Sequence, residues 1–164
     1  MESLIRGHTT TTPGGDIDYT LRAIPNHPNA LLAMMLLGEK EKTPQPRGSR
    51  YTVECWFDRA MRFRQDDPIV RMIYTTFLTK AGRKSDAIQQ LETVVRSADE
   101  NAFTYQNAGL LYFDLGEHAK ALTLAHKAIE LGLIRPELRE RLQSVGKWED
   151  PPAIKDASPE PSPL

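Results

Sequence analysis

Four histidines, one cysteine and a cluster of arginines are the side chains on which reactive chemistry would have to rest. Their spacing supports little. His8 and His27 are isolated, while His118 and His126 lie two helical turns apart, too far to share one metal ion without further ligands. No metal or cofactor is therefore expected. Cys55 has no nearby histidine and sits beside Trp56 in a helical stretch, so it reads as an inert, buried thiol and not as a nucleophile. The chain contains no P-loop, no G-x-S-x-G, no H-E-x-x-H and no CxxC pair. The expectation is a protein without enzymatic activity.

The arginines Arg59, Arg62, Arg64 and Arg71 form the one dense basic cluster, interspersed with Asp58, Asp66 and Asp67. With 21 basic against 22 acidic residues the chain has a formal charge of −1, so no global field draws it to nucleic acid. The cluster reads as a solvated face partly paired with its own aspartates, and no nucleic-acid partner is expected. Asp16 and Asp18 read as helix-start residues. The apolar run Ala30 to Leu37 is too short to span a bilayer, and the first ten residues lack the apolar core of a signal peptide. As written the chain is expected in the cytoplasm, with export the alternative if its natural form is longer at the N-terminus.

The elements that carry these residues repeat. Gly82 recurs as Gly116 and Ala87 as Ala121, and both steps are 34 residues (116 − 82 and 121 − 87). Between Pro68 and Lys80, the spacing of Ile69, Met72, Ile73 and Phe77 predicts a helix. Ala81 and Gly82 end it, and a second helix capped by Ser85 carries Ala87, Ile88, Leu91, Val94 and Val95. The next hairpin repeats this register with Tyr105, Ala108, Leu111 and Tyr112, then Gly116, then Ala121, Leu122, Ala125, Ala128 and Ile129. Upstream, Met34, Leu37 and Gly38 fit a first helix and Val53, Phe57 and Ala60 a second. Three extra residues fall in EKTPQPRG, where Pro44 and Pro46 forbid helix.

The pattern resembles the tetratricopeptide repeat (TPR) family. One repeat matches as Tyr105, Ala108, Gly109, Tyr112, Ala121 and Ala125, the one before it more loosely as Arg71, Tyr74, Thr75, Leu78, Ala87 and Leu91. Arg71, Thr75 and the missing closing prolines depart from the family pattern. The resemblance implies an all-α fold, a right-handed α-solenoid of stacked helical hairpins (a TPR superhelix) with a C-terminal capping helix. Residues 1–15 are expected to be irregular. A half repeat follows at 16–28 with Ala23 and Pro28 in place, then repeats at about 29–67, 68–101 and 102–135 and a capping helix at 136–146. A Pro-rich disordered tail is expected at 147–164, because the last sixteen residues include five prolines. The first residues and the closing VGKW also resemble longer bacterial repeat proteins.

Such an array curves into a groove lined by the first helix of each hairpin. The resemblance places that lining at Leu32, Met35 and Glu39, at Ile69, Met72, Thr76 and Lys80, and at Phe103, Gln106, Asn107, Leu110 and Phe113. The implied function is protein-protein interaction: binding a peptide or helix of a partner protein, with Asn107 holding ligand backbone. Lys80 is the sole basic residue of the lining, too few donors for a terminal-carboxylate clamp. Two alternatives stay open. Phe103, Leu110 and Phe113 can pack beneath the C-terminal helix instead, as Met34, Met35, Met61 and Met72 can fill the core; and the incomplete N-terminal repeat can serve self-association or docking on a larger assembly, as in a scaffold subunit.

Overall fold

The structure, a computed structural model, describes residues 12–151. Within them the chain forms eight helices and no strand: α1 (Pro13–Ala23), α2 (Pro28–Glu41), α3 (Val53–Phe63), α4 (Pro68–Lys80), α5 (Lys84–Arg96), α6 (Ala102–Asp114), α7 (His118–Glu130) and α8 (Pro136–Ser144). The N-terminal residues and most of the Pro-rich tail lie outside the described residues.

Helices α2, α4 and α6 are the first helices of three hairpins, and α3, α5 and α7 the second. Each helix packs on its successor, and α2, α4, α6 and α8 also pack on one another in turn. That is the contact pattern of a helical repeat, in which each unit touches only its neighbours.

Local chemistry explains the phrasing. The first helices start on side-chain caps: His27 Nδ1 accepts from the Ala30 N–H, Asp67 from Ile69 and Val70, and Asn101 from Thr104. Proline at position 28 or 68 presets the first turn of α2 and α4. Within the later hairpins Gly82 and Gly116 adopt φ of +72° and +76°, and the chain reverses so tightly that α5 and α7 begin without a side-chain cap. Ser85 therefore lies inside the first turn of α5 and caps nothing.

The register inside each hairpin is fixed by small residues. A Cβ on Gly38 would lie 2.9 Å from Val53 Cγ2, and one on Gly109 would lie 3.5 Å from the Ala121 carbonyl oxygen. Thr75, the bulkier residue at the same position, is fully buried and returns its hydroxyl to the Arg71 carbonyl at 2.8 Å. Around these contacts runs one continuous core from Ile17 to Leu142, with Trp56, Phe57, Leu78 and Leu91 wholly enclosed.

The N-terminal end differs from expectation. Helix α1 starts at Pro13, so residues 13–15 are helical and not irregular. Its buried side chains are Ile17, Asp18 and Leu21, whereas Ala23 is exposed, a shift of two positions from the expected half repeat. The insertion between α2 and α3 packs on this helix. Its Arg47 carbonyl would lie 2.2 Å from a Cβ on Gly14, and the Arg50 N–H donates to Asp18 Oδ1 at 2.7 Å. Asp18, also held by Arg22 at 3.0 Å, is thus a buried anchor for that loop and not a helix start. Trp56 Nε1 donates to Ser49 Oγ at 2.9 Å and closes the same loop on α3.

Candidate functional site

Sequence repetition puts one residue of each first helix at the same register: Leu32, Ile69 and Phe103. Their relative exposures are 39%, 51% and 54%, although the adjacent Leu31 and Val70 are buried at 1% and 0% and Thr104 at 9%. Because α2, α4 and α6 lie side by side, these three form an apolar ladder across the first-helix face. Phe103, at its end, carries the Arg135 guanidinium over its ring at 5.2 Å.

The remaining expected lining divides into three groups. Met35 and Gln106 are buried instead of exposed on the face, at 2% and 4%. Met35 stands in the wall of a cavity of about 220 Å³ that Glu39, Phe77 and Lys80 also line, and Gln106 occupies the equivalent register of α6. Gln106 puts a polar group there, and its buried Nε2 has no hydrogen-bond partner among the described residues.

Met72, Leu110 and Phe113 are half-buried and pack against the core. Arg141 of α8 lies over the Phe113 ring at 4.7 Å and pairs with Asp114 at 2.8 Å, so the last helix does cover that end of the face. Phe113 also packs on His118, 5.0 Å between centroids.

Glu39, Lys80, Thr76 and Asn107 are the polar members. Lys80 Nζ sits 2.7 and 2.8 Å from the two Glu39 oxygens, which neutralises the one lysine of the lining. Thr76 returns its hydroxyl to the Met72 carbonyl at 3.2 Å. Asn107 is exposed, and its amide makes no hydrogen bond within the described residues.

A larger cavity lies on the second-helix side. It holds about 460 Å³ between α5 and α7, with Tyr112 at its base and Glu92, Arg96 and Lys120 around it. Lys120 bridges to Glu92 at 3.0 Å and lies 5.3 Å over the Tyr112 ring. Burial, reinforced by Glu92 and Glu117, pushes the Tyr112 hydroxyl up to about 12. Three helices contribute the lining, and no local motif announces such a site.

The other reactive candidates are accounted for. Cys55 is half-buried in the first turn of α3. His126 packs edge-on against Trp148, and its Nε2 lies 2.8 Å from the Glu149 carbonyl. Arg62 pairs with Asp58 and Arg64 with Asp66, while Asp67 caps α4 and accepts from Asn26. Arg59 instead stacks over Tyr51 and Trp56. Among the described residues no group of three side chains could hold a metal ion, and no helix is long and apolar enough to cross a membrane. Compared with known proteins, the chain matches no family model, no curated protein and no solved structure.

Proposed function

We propose that this chain is a non-catalytic interaction module, a TPR-like right-handed superhelix closed by α8 as its capping helix, whose first-helix face takes an apolar peptide or helix from a partner protein. The observation that carries the reading is the ladder of Leu32, Ile69 and Phe103, apolar and exposed at one register on three neighbouring helices. Isolated apolar residues on a surface need no explanation, but a row repeated by the architecture is a candidate binding surface. Packed helices lie about 8–10 Å apart, and one three-residue turn of polyproline II, which returns every third side chain to the same face, advances about 9 Å. A ligand with an apolar residue at every third position therefore matches the rungs. Asn107 offers the backbone of such a ligand a free amide, and the Glu39–Lys80 pair leaves that end of the face neutral.

The reading is tested by measuring peptide affinity for the chain and for a Phe103→Ser variant. Phe103 is half exposed, so the variant should keep its fold, and binding should weaken at least about tenfold if the aromatic ring is an anchor. Equal affinity for both chains would remove the ladder from the account.

A further inference from the structure

One repeat before the cavity between α5 and α7, the corresponding gap between α3 and α5 is bridged by a side chain. Val95 and Leu124 wall the later cavity, and the residues 34 positions before them are Met61 and Gln90. There Arg71 crosses the gap: its Nη1 donates to Gln90 Oε1 at 2.6 Å and lies 4.0 Å from Met61 Sδ. In the later repeat the position of Arg71 is taken by Tyr105, whose ring lies under Lys127 at 5.5 Å. Leu124, unlike Gln90, has no acceptor to hold such a strap. The space of about 460 Å³ between α5 and α7 falls within the range of about 300–1,000 Å³ usual for small-ligand sites.

The polar groups of this cavity are not fully engaged with one another. Arg96 and Lys120 against Glu92 leave its lining a net charge of +1 (2 − 1). Lys120 bridges to Glu92 at 3.0 Å, so the uncompensated charge is that of Arg96. Arg96 is exposed, and its guanidinium makes no ion pair or hydrogen bond among the described residues. The Tyr112 hydroxyl likewise has no hydrogen-bond partner there, although the residue is only 3% exposed. Raised to about 12, that hydroxyl keeps its proton at neutral pH and can donate it to an anion in the cavity. Val95, Leu124 and the Tyr112 ring make up the apolar part of the wall.

We propose that this cavity binds a free monocarboxylate with an apolar body. The carboxylate accepts from Arg96 and from the Tyr112 hydroxyl, and the apolar remainder rests on Val95, Leu124 and the Tyr112 ring. The planar fork of an arginine meets both oxygens of a carboxylate, which makes Arg96 the stronger of the two donors. One uncompensated cation matches one negative charge. A dianionic phosphate would find no second unpaired cation and would face the Glu92 carboxylate. The site lies on the second-helix side, apart from the Leu32–Ile69–Phe103 ladder, and stands without the peptide-binding reading.

The test is isothermal titration calorimetry of the full chain with octanoate, and with n-octanol as a neutral probe of the same length. Octanoate should occupy a single site with a Kd below about 1 mM. Arg96→Gln should weaken it at least about tenfold and Tyr112→Phe at least about threefold, with helicity unchanged by circular dichroism. Octanol should bind at least about tenfold more weakly than octanoate, and Phe103→Ser should change octanoate binding less than about twofold. Four results would overturn the proposal: no saturable octanoate binding; affinity indifferent to Arg96→Gln or to Tyr112→Phe; octanol bound as tightly as octanoate, which would leave only an apolar patch; or inorganic phosphate displacing octanoate at lower concentration than octanoate itself requires. Binding that appears only after residues 152–164 are deleted would also overturn it, by making that segment, with Asp156 and Glu160, the occupant.

Discussion

A Cβ built on Gly109 of α6 would lie 2.5 Å from Leu138 Cδ2 of α8. The glycine is thus squeezed between its own hairpin partner, at Ala121, and the final helix. Adding a side chain there overpacks two contacts at once. Gly109→Leu should destabilise the chain by about 1–3 kcal/mol and loosen α8 first. Urea unfolding followed by circular dichroism checks this; an unchanged midpoint would show that the assigned register is wrong.

Gln106 stands where the two preceding first helices carry Met35 and Met72, and its buried Nε2 lacks a partner. Leaving a buried donor unpaired costs about 1–3 kcal/mol, so Gln106→Met should be neutral or stabilising by about 1 kcal/mol. A thermal midpoint that falls instead would mean the amide has a role that methionine cannot fill.

How far the sequence already determined these features depends on their range. The 34-residue step, the turn glycines and the seven later helices follow from local periodicity, and they are where the residues place them. The lining was less legible. Met35 and Phe113 belong to first helices as expected, but whether a side chain on such a helix meets solvent depends on the neighbouring helix, which periodicity alone does not position. Asp18 is the clearest case: its partner is a backbone N–H 32 residues away in an irregular loop, and no short-range signal reports that bond.

Glu54 of α3 joins the second hairpin through Arg83 and the Tyr74 hydroxyl, which donates to it at 2.9 Å. Arg83 foremost holds the Glu54 carboxyl below its ordinary 4.5, against a smaller opposing effect of burial. A carboxyl lowered in the folded state contributes stability above its unfolded value, and that contribution is lost as pH falls through the folded one. Acid should therefore lower the thermal midpoint below about pH 4.5, and Glu54→Gln should flatten that slope. The same network works in the opposite sense in base. Burial first, then Glu54, raises Tyr74 to about 12 from 10.0, so stability should decline between those values while Tyr74 ionises. Calorimetry on both proteins across pH reads both arms; parallel profiles would contradict the assignment.

Phe113 and Leu110 sit half-buried on the core, with Arg141 over the phenylalanine ring. Truncating either to alanine should cost stability, about 1–2 kcal/mol each, less than for a fully enclosed side chain. Phe103→Ala, by contrast, should leave the unfolding midpoint within about 0.5 kcal/mol of the parent. Denaturant melts of the three variants separate them, and a Phe103 variant as unstable as the Phe113 one would place that ring in the core.

The ladder itself is tested most directly by selecting peptides from a displayed random library on the chain and measuring their affinity for a Leu32→Ser, Ile69→Ser, Phe103→Ser triple variant. The account predicts peptides with apolar residues three apart, a folded triple variant, and an affinity loss of at least about a hundredfold, as expected when three apolar anchors are removed together. Selected peptides that bind the folded triple variant as tightly as the parent would contradict it.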